Sequence, residues 1–68
     1  MTKEEIFELM PKFIGNAVED TPTNFRGRCT GVCYYEGSET FSVLLERTTE
    51  SGEHSEFWTN NNRCELIS

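Results

Sequence analysis

The spacing of hydrophobic residues differs between the start of this chain and the remainder. Near the start, apolar side chains are spaced to fall on one face of a helix, and they are Ile6, Leu9, Met10, Phe13 and Ile14. From Gly15 onward, apolar and polar residues alternate over short stretches, which is the pattern of strands with one buried face. The order therefore predicts one helix followed by a β-rich remainder.

The first residues also carry signals for where that helix begins and ends. Thr2 is a favourable N-cap, and Glu5, three residues later, completes a capping box. Pro11 has no backbone N–H, and its ring clashes with the carbonyl four residues earlier. We therefore expect a short helix over about residues 3–10. Residues 11–14 would form a distorted last turn or lead into a strand.

Four or five short strands are predicted in the remainder, at the spacing of hairpins. In chain order they cover residues 17–18, 26–35, 40–48, 55–59 and 63–67, the last as a strand or a 3-10 turn. The segments between them are rich in turn-forming residues, including E-G-S-E and T-E-S-G-E-H, which indicate hairpin loops. Successive strands are therefore expected to pair antiparallel.

The second predicted strand holds two glycines and two of the three cysteines. Gly27 and Gly31 indicate a sharp bend or a bulge in this strand. Regular alternation would place one set of its side chains on one side of the sheet, namely Cys29, Gly31, Cys33 and Tyr35. The opposite side would then carry Arg28, Thr30, Val32 and Tyr34. We expect the cysteines to fill space on the inner or the interface-facing side.

Several segments of the β-rich part resemble strands of SH3-like small barrels, such as KOW and Tudor modules. They are G-N-A-V-E-D, F-R-G-R-C-T-G-V, F-S-V-L-L-E, E-F-W-T and C-E-L-I, and they cover roughly residues 13–68. Cys29 stands where the pattern of such barrels prefers valine. The resemblance implies a four- to five-stranded antiparallel sheet bent into a barrel, and a binding module more often than a catalyst. The predicted fold is α+β, with residues 1–68 as a single domain.

The charge of the chain restricts its partners. Twelve acidic and six basic residues give a formal net charge of −6 at pH 7. Nucleic-acid binding depends on Lys and Arg against phosphates, so this balance disfavours direct contact with nucleic acid, and with anionic membranes too. It favours a protein partner with a basic surface, or serves solubility alone. No apolar run approaches the ~20 residues of a membrane span and no signal peptide is apparent, so we expect a cytoplasmic protein.

The cysteines and the single histidine are the residues to consider for metal binding or nucleophilic catalysis. Cys29, Cys33, His54 and Cys64 are the residue types of a zinc site. Four residues along a regular strand separate the first two sulfurs by about 13 Å, too far for one ion unless a bulge at Gly31 shortens the gap. His54 is the sole histidine and lies in a predicted loop. We therefore expect no metal, no cofactor and no enzymatic activity.

Aromatic residues at the strand ends allow two interpretations. They are Phe25, Tyr34, Tyr35 and Trp58. Exposed, they would form a stacking platform or a cage for a cation. Alternatively, Trp58 and one tyrosine belong to the core, which a chain with few large apolar residues needs, and we favour this placement. Arg26 and Arg28, beside Phe25, form the one local basic patch.

A protein-binding role is the leading hypothesis from sequence. Glu4 and Glu8 lie on the predicted solvent face of the helix, and further acids lie in loops and at strand ends. The size of the chain and its lack of a catalytic set resemble small phage-encoded proteins, which implies an inhibitor that docks on a host defence or nucleic-acid-handling protein. The alternative is a small-ligand or nucleic-acid binder that uses Tyr34, Tyr35 and Trp58. A homodimer is compatible with either, because so small a sheet has exposed edges.

Overall fold

The computed structural model describes residues 1–67 as one helix and five strands. They are α1 (Lys3–Phe13), β1 (Ala17–Asp20), β2 (Phe25–Cys33), β3 (Ser42–Thr48), β4 (His54–Asn60) and β5 (Cys64–Leu66). A 3-10 turn, Asn61–Arg63, joins β4 to β5. The predicted α+β class and the order of one helix before the strands are confirmed, with strand ends shifted by one or two residues in most cases. No helix within residues 1–67 is both long and apolar enough to cross a membrane.

The helix begins as predicted and ends later than predicted. The capping box is present, since the Glu5 backbone N–H donates to Thr2 Oγ1 at 3.2 Å and the Thr2 N–H donates to Glu5 Oε1 at 3.0 Å. Pro11 lies inside α1, so the prediction that the helix ends near residue 10 is wrong. The missing N–H costs a single backbone bond near the helix end. Packing of Phe13 offsets that cost, because its ring meets Phe41 edge-on with centroids 5.4 Å apart in the core.

Loss of the helix cap is expected to have a modest effect on stability. Thr2→Ala removes the acceptor for the Glu5 N–H and should lower the free energy of unfolding by about 1 kcal/mol. Thr2→Ser keeps the hydroxyl and serves as the matched control. Urea denaturation followed by far-UV circular dichroism measures both variants. Equal stability of Thr2→Ala and wild type would contradict this role of the cap.

The sheet is antiparallel, with strand order β4-β3-β2-β1-β5. The first half of β2 pairs with β1, with Val18 opposite Gly27, and its second half pairs with β3, with Val32 opposite Val43. β5 returns to the far side of β1, with Val18 opposite Leu66. Within residues 1–67 the pairing ends at β4 and at β5, so the hydrogen-bonded sheet has two edges and is not closed into a barrel.

A bulge in β2 changes which side chains share a face. Cys29 pairs with Leu45 and Gly31 with Leu44, so Thr30 has no partner of its own. Before the bulge Cys29 is buried, and after it Val32 and Tyr34 pack against the core. Cys33 and Tyr35 point to the opposite face. The prediction that Cys29, Cys33 and Tyr35 share one side is therefore wrong, because one extra residue reverses the alternation.

The core lies between α1 and one face of the sheet. Its buried apolar side chains are Ile6, Phe13, Val18, Cys29, Phe41, Val43 and Leu45. Cys29 fills space there, as expected for one of the cysteines. Trp58 does not join this core and is 55% exposed, so its predicted burial is wrong. Tyr34 is the tyrosine that packs against the core, with its ring 5.5 Å from the ring of Phe7.

One of the acidic residues at the strand ends is fully buried. Asp20, the last residue of β1, is 0% exposed. Its Oδ1 accepts a hydrogen bond from Thr59 Oγ1 at 2.7 Å, and its Oδ2 accepts from the Thr23 hydroxyl and from Arg63 Nη2, the latter at 3.3 Å. The carboxylate thereby joins β1, the following loop, β4 and the 3-10 turn. Burial is tolerated because both oxygens have partners.

Candidate binding face of the sheet

The sheet face away from α1 forms an exposed surface, which we call the outer face. Three cross-strand rows on β2, β3 and β4 define it: Gly31–Leu44–Trp58, Cys33–Ser42–Asn60 and Arg28–Glu46–Glu56. The rows follow from the register, since residues opposite each other on neighbouring strands point to the same side. No element covers this face in the described part of the chain. Its side chains are therefore available to a partner.

Two exposed aromatic side chains flank a pocket on the outer face. The pocket has a volume of about 320 Å³ and is lined by Cys33, Tyr35, Ser42 and Trp58. Tyr35 is 69% exposed and Trp58 is 55% exposed. Large aromatic side chains left in solvent at a concave site are typical of surfaces that bind other molecules. The bulge at Thr30 places Cys33 and Tyr35 on this side.

The hydroxyl of Tyr35 remains a proton donor at neutral pH. A hydrogen bond with Cys33, and then the charge of that thiolate when it forms, raise the pKa of Tyr35 above its ordinary value of 10.0. The phenol is thus neutral under physiological conditions. It can donate a hydrogen bond from the pocket rim to a carbonyl or another acceptor of a bound segment.

Acidic side chains lie one row from Trp58 in the sheet and next to Tyr35 in the chain. Glu46 and Glu56 lie opposite each other on the outer face, one row away from Trp58. Glu36 follows Tyr35 directly in the chain, and its carboxylate lies 3.2 Å from Lys3 Nζ. Arg28 is the basic side chain of the three rows and lies opposite Glu46. Acidic residues therefore outnumber basic ones near the pocket, as they do in the whole chain.

A compact group of potential metal ligands lies at the β3–β4 hairpin end of the outer face. His54 Nε2 is 3.2 Å from Glu46 Oε1 and 3.2 Å from Glu56 Oε1. One ligand atom from each of the three residues lies within 4.8 Å of the other two. The cysteines weighed for zinc do not join it, because Cys29 and Cys33 lie on opposite faces of the sheet.

Of the four aromatic residues singled out from sequence, the structure brings two together at the pocket, Tyr35 and Trp58. Tyr34 packs on Phe7 of the helix. Phe25 lies on the core side, where its ring is 5.4 Å from that of Phe57 and Arg47 lies over it at 4.5 Å. The stacking platform of Tyr34, Tyr35 and Trp58 is therefore reduced to two members.

The charged residues singled out from sequence are dispersed. Arg26 Nε contacts Glu19 Oε2 at 3.2 Å, which engages one of the two arginines of the predicted basic patch. Arg28 is exposed on the outer face. Glu4 and Glu8 are exposed on α1, on an element that packs against the other side of the sheet. Arg28 therefore lies on the same face as Tyr35 and Trp58, whereas Glu4 and Glu8 do not.

Sequence reasoning missed several residues of the outer face. They are Cys33 and Ser42 as pocket lining, and Glu46, His54 and Glu56 as a group. The hairpin loop around Gly52 contained the signal for the group. Counting outward from the turn places Thr48 opposite His54, and two residues further Glu46 opposite Glu56. Assigning His54 to the loop instead of β4 hid this pairing.

Comparisons with protein-family models, with curated proteins and with solved structures found no significant match to this chain.

Proposed function

We propose that this chain is a small non-enzymatic module that binds a protein partner through its outer face. The observation that carries the proposal is the pocket of about 320 Å³ between the exposed side chains of Tyr35 and Trp58. Aromatic side chains of this kind supply much of the binding energy in protein interfaces. The occupant we propose is a basic segment of the partner, because the chain has a net charge of −6.

Recognition of a basic segment has a direct physical basis at this site. A lysine or arginine side chain placed over the indole of Trp58 gains a cation–π interaction. Glu46 and Glu56, one row away, attract the same charge at longer range. The Tyr35 hydroxyl supplies a hydrogen-bond donor for the backbone of the segment. The three contributions act on one side of the sheet and favour the same kind of partner.

The absence of enzymatic activity is part of the proposal and is supported by the state of two thiols. Burial raises the pKa of Cys29 above its ordinary value, and burial together with the charges of Asp20 and Cys29 raises the pKa of Cys64 to about 11. A protonated thiol is a poor nucleophile. Cys64 Sγ donates a hydrogen bond to the Asn60 carbonyl at 3.3 Å, and this bond also favours the protonated thiol.

An SH3-like fold relationship is a second part of the proposal, in which the sheet keeps the strand arrangement of a small barrel but leaves its two edges open. The strand order supports it, since β1 to β4 form a meander and β5 returns beside β1 after a 3-10 turn. A second strand that pairs with β1 over its first half and with β3 over its second half also suits a small barrel. In this interpretation the helix is an addition to the barrel.

In its most concrete form, the proposal is an inhibitor of the phage-encoded type. It would act in the host cytoplasm by docking on a defence or nucleic-acid-handling protein, whose basic surface suits an acidic binder. The edge strands β4 and β5 also offer unpaired backbone groups for a second copy of the chain. The solution mass, from light scattering, distinguishes a monomer from such a homodimer.

A second candidate function is binding of a small ligand or single-stranded nucleic acid. The observation that favours it is the same aromatic pair, because Tyr35 and Trp58 could stack on bases. The net charge of −6 opposes it. Trp58 is the sole tryptophan, so its fluorescence reports on the pocket. An unchanged Trp58 emission on addition of nucleotides and oligonucleotides at low salt removes this candidate.

Truncating Trp58 is expected to weaken partner binding without unfolding the chain. Trp58→Ala should lower affinity for the partner about tenfold or more, as expected for an interface hot spot. Ile67→Ala is the matched control, because Ile67 is a similarly exposed apolar residue outside the outer face. The partner is first captured on immobilised wild type, then purified, and its affinities for the three proteins are measured by calorimetry.

Three results of that experiment would contradict the proposal. One is a captured partner that binds wild type and Trp58→Ala equally well. Another is an acidic partner whose binding does not weaken with added salt, because the proposed attraction is electrostatic. The third is recovery of no specific partner from the appropriate host extract at moderate salt.

A further inference from the structure

We propose that Glu46, His54 and Glu56 form a binding site for a divalent transition-metal ion, and that Zn²⁺ is the ion their donor atoms suit best. The site lies on the outer face at the hairpin end of β3 and β4. It is separate from the pocket between Tyr35 and Trp58, and it does not depend on the proposed protein partner.

The spacing of the three donor atoms matches the coordination sphere of a small ion. Two ligands bound at about 2.0–2.1 Å to a tetrahedral ion are separated by about 3.3–3.4 Å. The separations from His54 Nε2 to Glu46 Oε1 and to Glu56 Oε1 are both 3.2 Å. All three donor atoms lie within 4.8 Å of one another, so small side-chain rotations suffice to bring them onto one ion.

Residues outside the group orient two of its members. The Thr30 hydroxyl donates to Glu46 Oε2, which leaves Oε1 directed toward His54. Thr48 Oγ1 lies 3.4 Å from His54 Nδ1, the ring nitrogen that faces away from the carboxylates. Such contacts to the far atom of a ligand are typical of metal sites, where they set the ring orientation and the tautomer. Thr30 is the bulged residue of β2, so the bulge contributes to this site as well.

The donor set selects the class of ion. Mg²⁺ and Ca²⁺ prefer oxygen ligands throughout, whereas imidazole together with carboxylates suits Zn²⁺ and related ions. Two carboxylates and a neutral imidazole carry two negative charges in total, and a divalent ion neutralises them. The three protein ligands leave a fourth position open to solvent, because His54 and Glu56 are about half exposed.

An ion-pair network among the same three residues is the alternative to a metal site. A protonated His54 bridging Glu46 and Glu56 would give the same distances as two ion pairs. The proton and the metal ion compete for the same nitrogen, so titration with the ion separates the two arrangements. An ion-pair network alone would have no measurable affinity for Zn²⁺.

The test is calorimetric titration of the metal-free chain with Zn²⁺ at neutral pH. We expect one ion per chain for wild type and a loss of affinity of about tenfold or more in His54→Gln and Glu56→Gln. Glu50→Gln is the matched acidic control, because Glu50 lies in the adjacent hairpin loop and outside the group. Cys33→Ser controls for thiol binding on the same face. Circular dichroism verifies that each variant is folded.

Trp58 gives an independent readout of where the ion binds. It lies two residues after Glu56 on the same face of β4, about 7 Å along the strand. Co²⁺ bound to the group should therefore quench Trp58 fluorescence in wild type and in Cys33→Ser, and not in His54→Gln. Absence of Zn²⁺ binding by wild type overturns the proposal. So does binding that survives in His54→Gln and Glu56→Gln, or that is lost in Cys33→Ser.

Glu46 and Glu56 belong to both proposals, so the partner titration is repeated with excess chelator, which keeps the group free of metal ions. Equal partner affinity of Trp58→Ala and wild type under these conditions contradicts the protein-binding proposal alone, and absence of Zn²⁺ binding by wild type contradicts the metal site alone. Loss of partner binding in Trp58→Ala with intact Zn²⁺ binding supports both proposals.

Discussion

Asp20→Ala is expected to lower the free energy of unfolding by about 3–5 kcal/mol. The substitution removes the acceptor for Thr59 and Thr23 and the partner of Arg63, all of which meet at a carboxylate that is 0% exposed. A loss of this size equals most of the stability expected of a chain with so small a core. The variant should therefore be largely unfolded at 25 °C by circular dichroism.

Asp20→Asn keeps the hypothesis testable if the alanine variant does not fold. The amide retains an oxygen for Thr59 but loses the charge that attracts Arg63, so a smaller loss of about 1–2 kcal/mol is expected. Thr59→Val added to Asp20→Ala should recover part of the stability, because it removes the hydroxyl left without an acceptor. Wild-type stability in Asp20→Asn and Asp20→Ala alike would contradict the role of the network.

The same carboxylate predicts a dependence of stability on pH. Burial alone would raise the pKa of Asp20, but hydrogen bonds from Thr23 and Thr59 and the charge of Arg63 outweigh it and hold the pKa below the ordinary value of 3.8. The contribution of the ionised group is therefore fully present above the unfolded-state pKa and is lost as pH falls through the lower folded-state pKa. The difference in free energy of unfolding between wild type and Asp20→Asn should stay constant from neutral pH to about pH 5 and shrink below about pH 4.

Gly27→Ala is expected to lower the free energy of unfolding by about 2–3 kcal/mol. A Cβ at this position would lie 2.6 Å from the backbone oxygen of Glu46 and 3.0 Å from its carbonyl carbon. Backbone atoms of a central strand cannot rotate away as a side chain does, so β2 and β3 would have to separate locally. Thermal denaturation should show a fall in Tm of roughly 10 °C or more for a domain of this size.

Gly31→Ala is the matched control for Gly27→Ala. Its added Cβ would lie 3.8 Å from the Leu44 Cβ, which is an ordinary van der Waals distance. Because alanine restricts the unfolded chain more than glycine does, this variant should keep or slightly exceed wild-type stability. Equal losses at the two positions would show that strand flexibility, and not the close approach to Glu46, determines the cost.

The sequence predicted those parts of the fold that depend on local chemistry. The capping box at Thr2, the order of elements along the chain and the two hairpin loops follow from contacts between residues near in the chain, and the structure confirms them. The expected pairing of the fourth strand with the fifth is wrong, because β5 pairs with β1. The helix end was wrong because Phe13 packs on Phe41, a contact that local propensity does not contain. The burial of Asp20 was missed for a similar reason, since Thr59 and Arg63 are distant in sequence.

The candidate site could be predicted only in part. For Tyr35 and Trp58 the sequence allowed either exposure at the strand ends or burial in the core. Burial was favoured because the chain has few large apolar residues. Phe41 and Ile6 fill the core without the indole, which leaves Trp58 on the edge strand β4. The glycines of β2 predicted a bend or a bulge. The position of the bulge decides which of the following side chains lie on the core side and which on the outer face. That position depends on pairing with β3 and not on the β2 sequence alone.

The unpaired residue Thr30 divides β2 into two segments in which the alternation of inward and outward side chains is reversed. Before the bulge, Cys29 is buried in the core; after it, Tyr34 packs against the core while its neighbour Tyr35 lines the exposed pocket. Deleting Thr30 would make Cys29–Leu45 and Gly31–Leu44 successive regular pairs, so Tyr34 and Tyr35 would keep their sides and only the hydroxyl that contacts Glu46 would be lost. Deleting a residue after the bulge, such as Val32, would instead turn Tyr35 toward the helix and Tyr34 toward solvent. The length of the strand is therefore under tighter constraint after the bulge than at it.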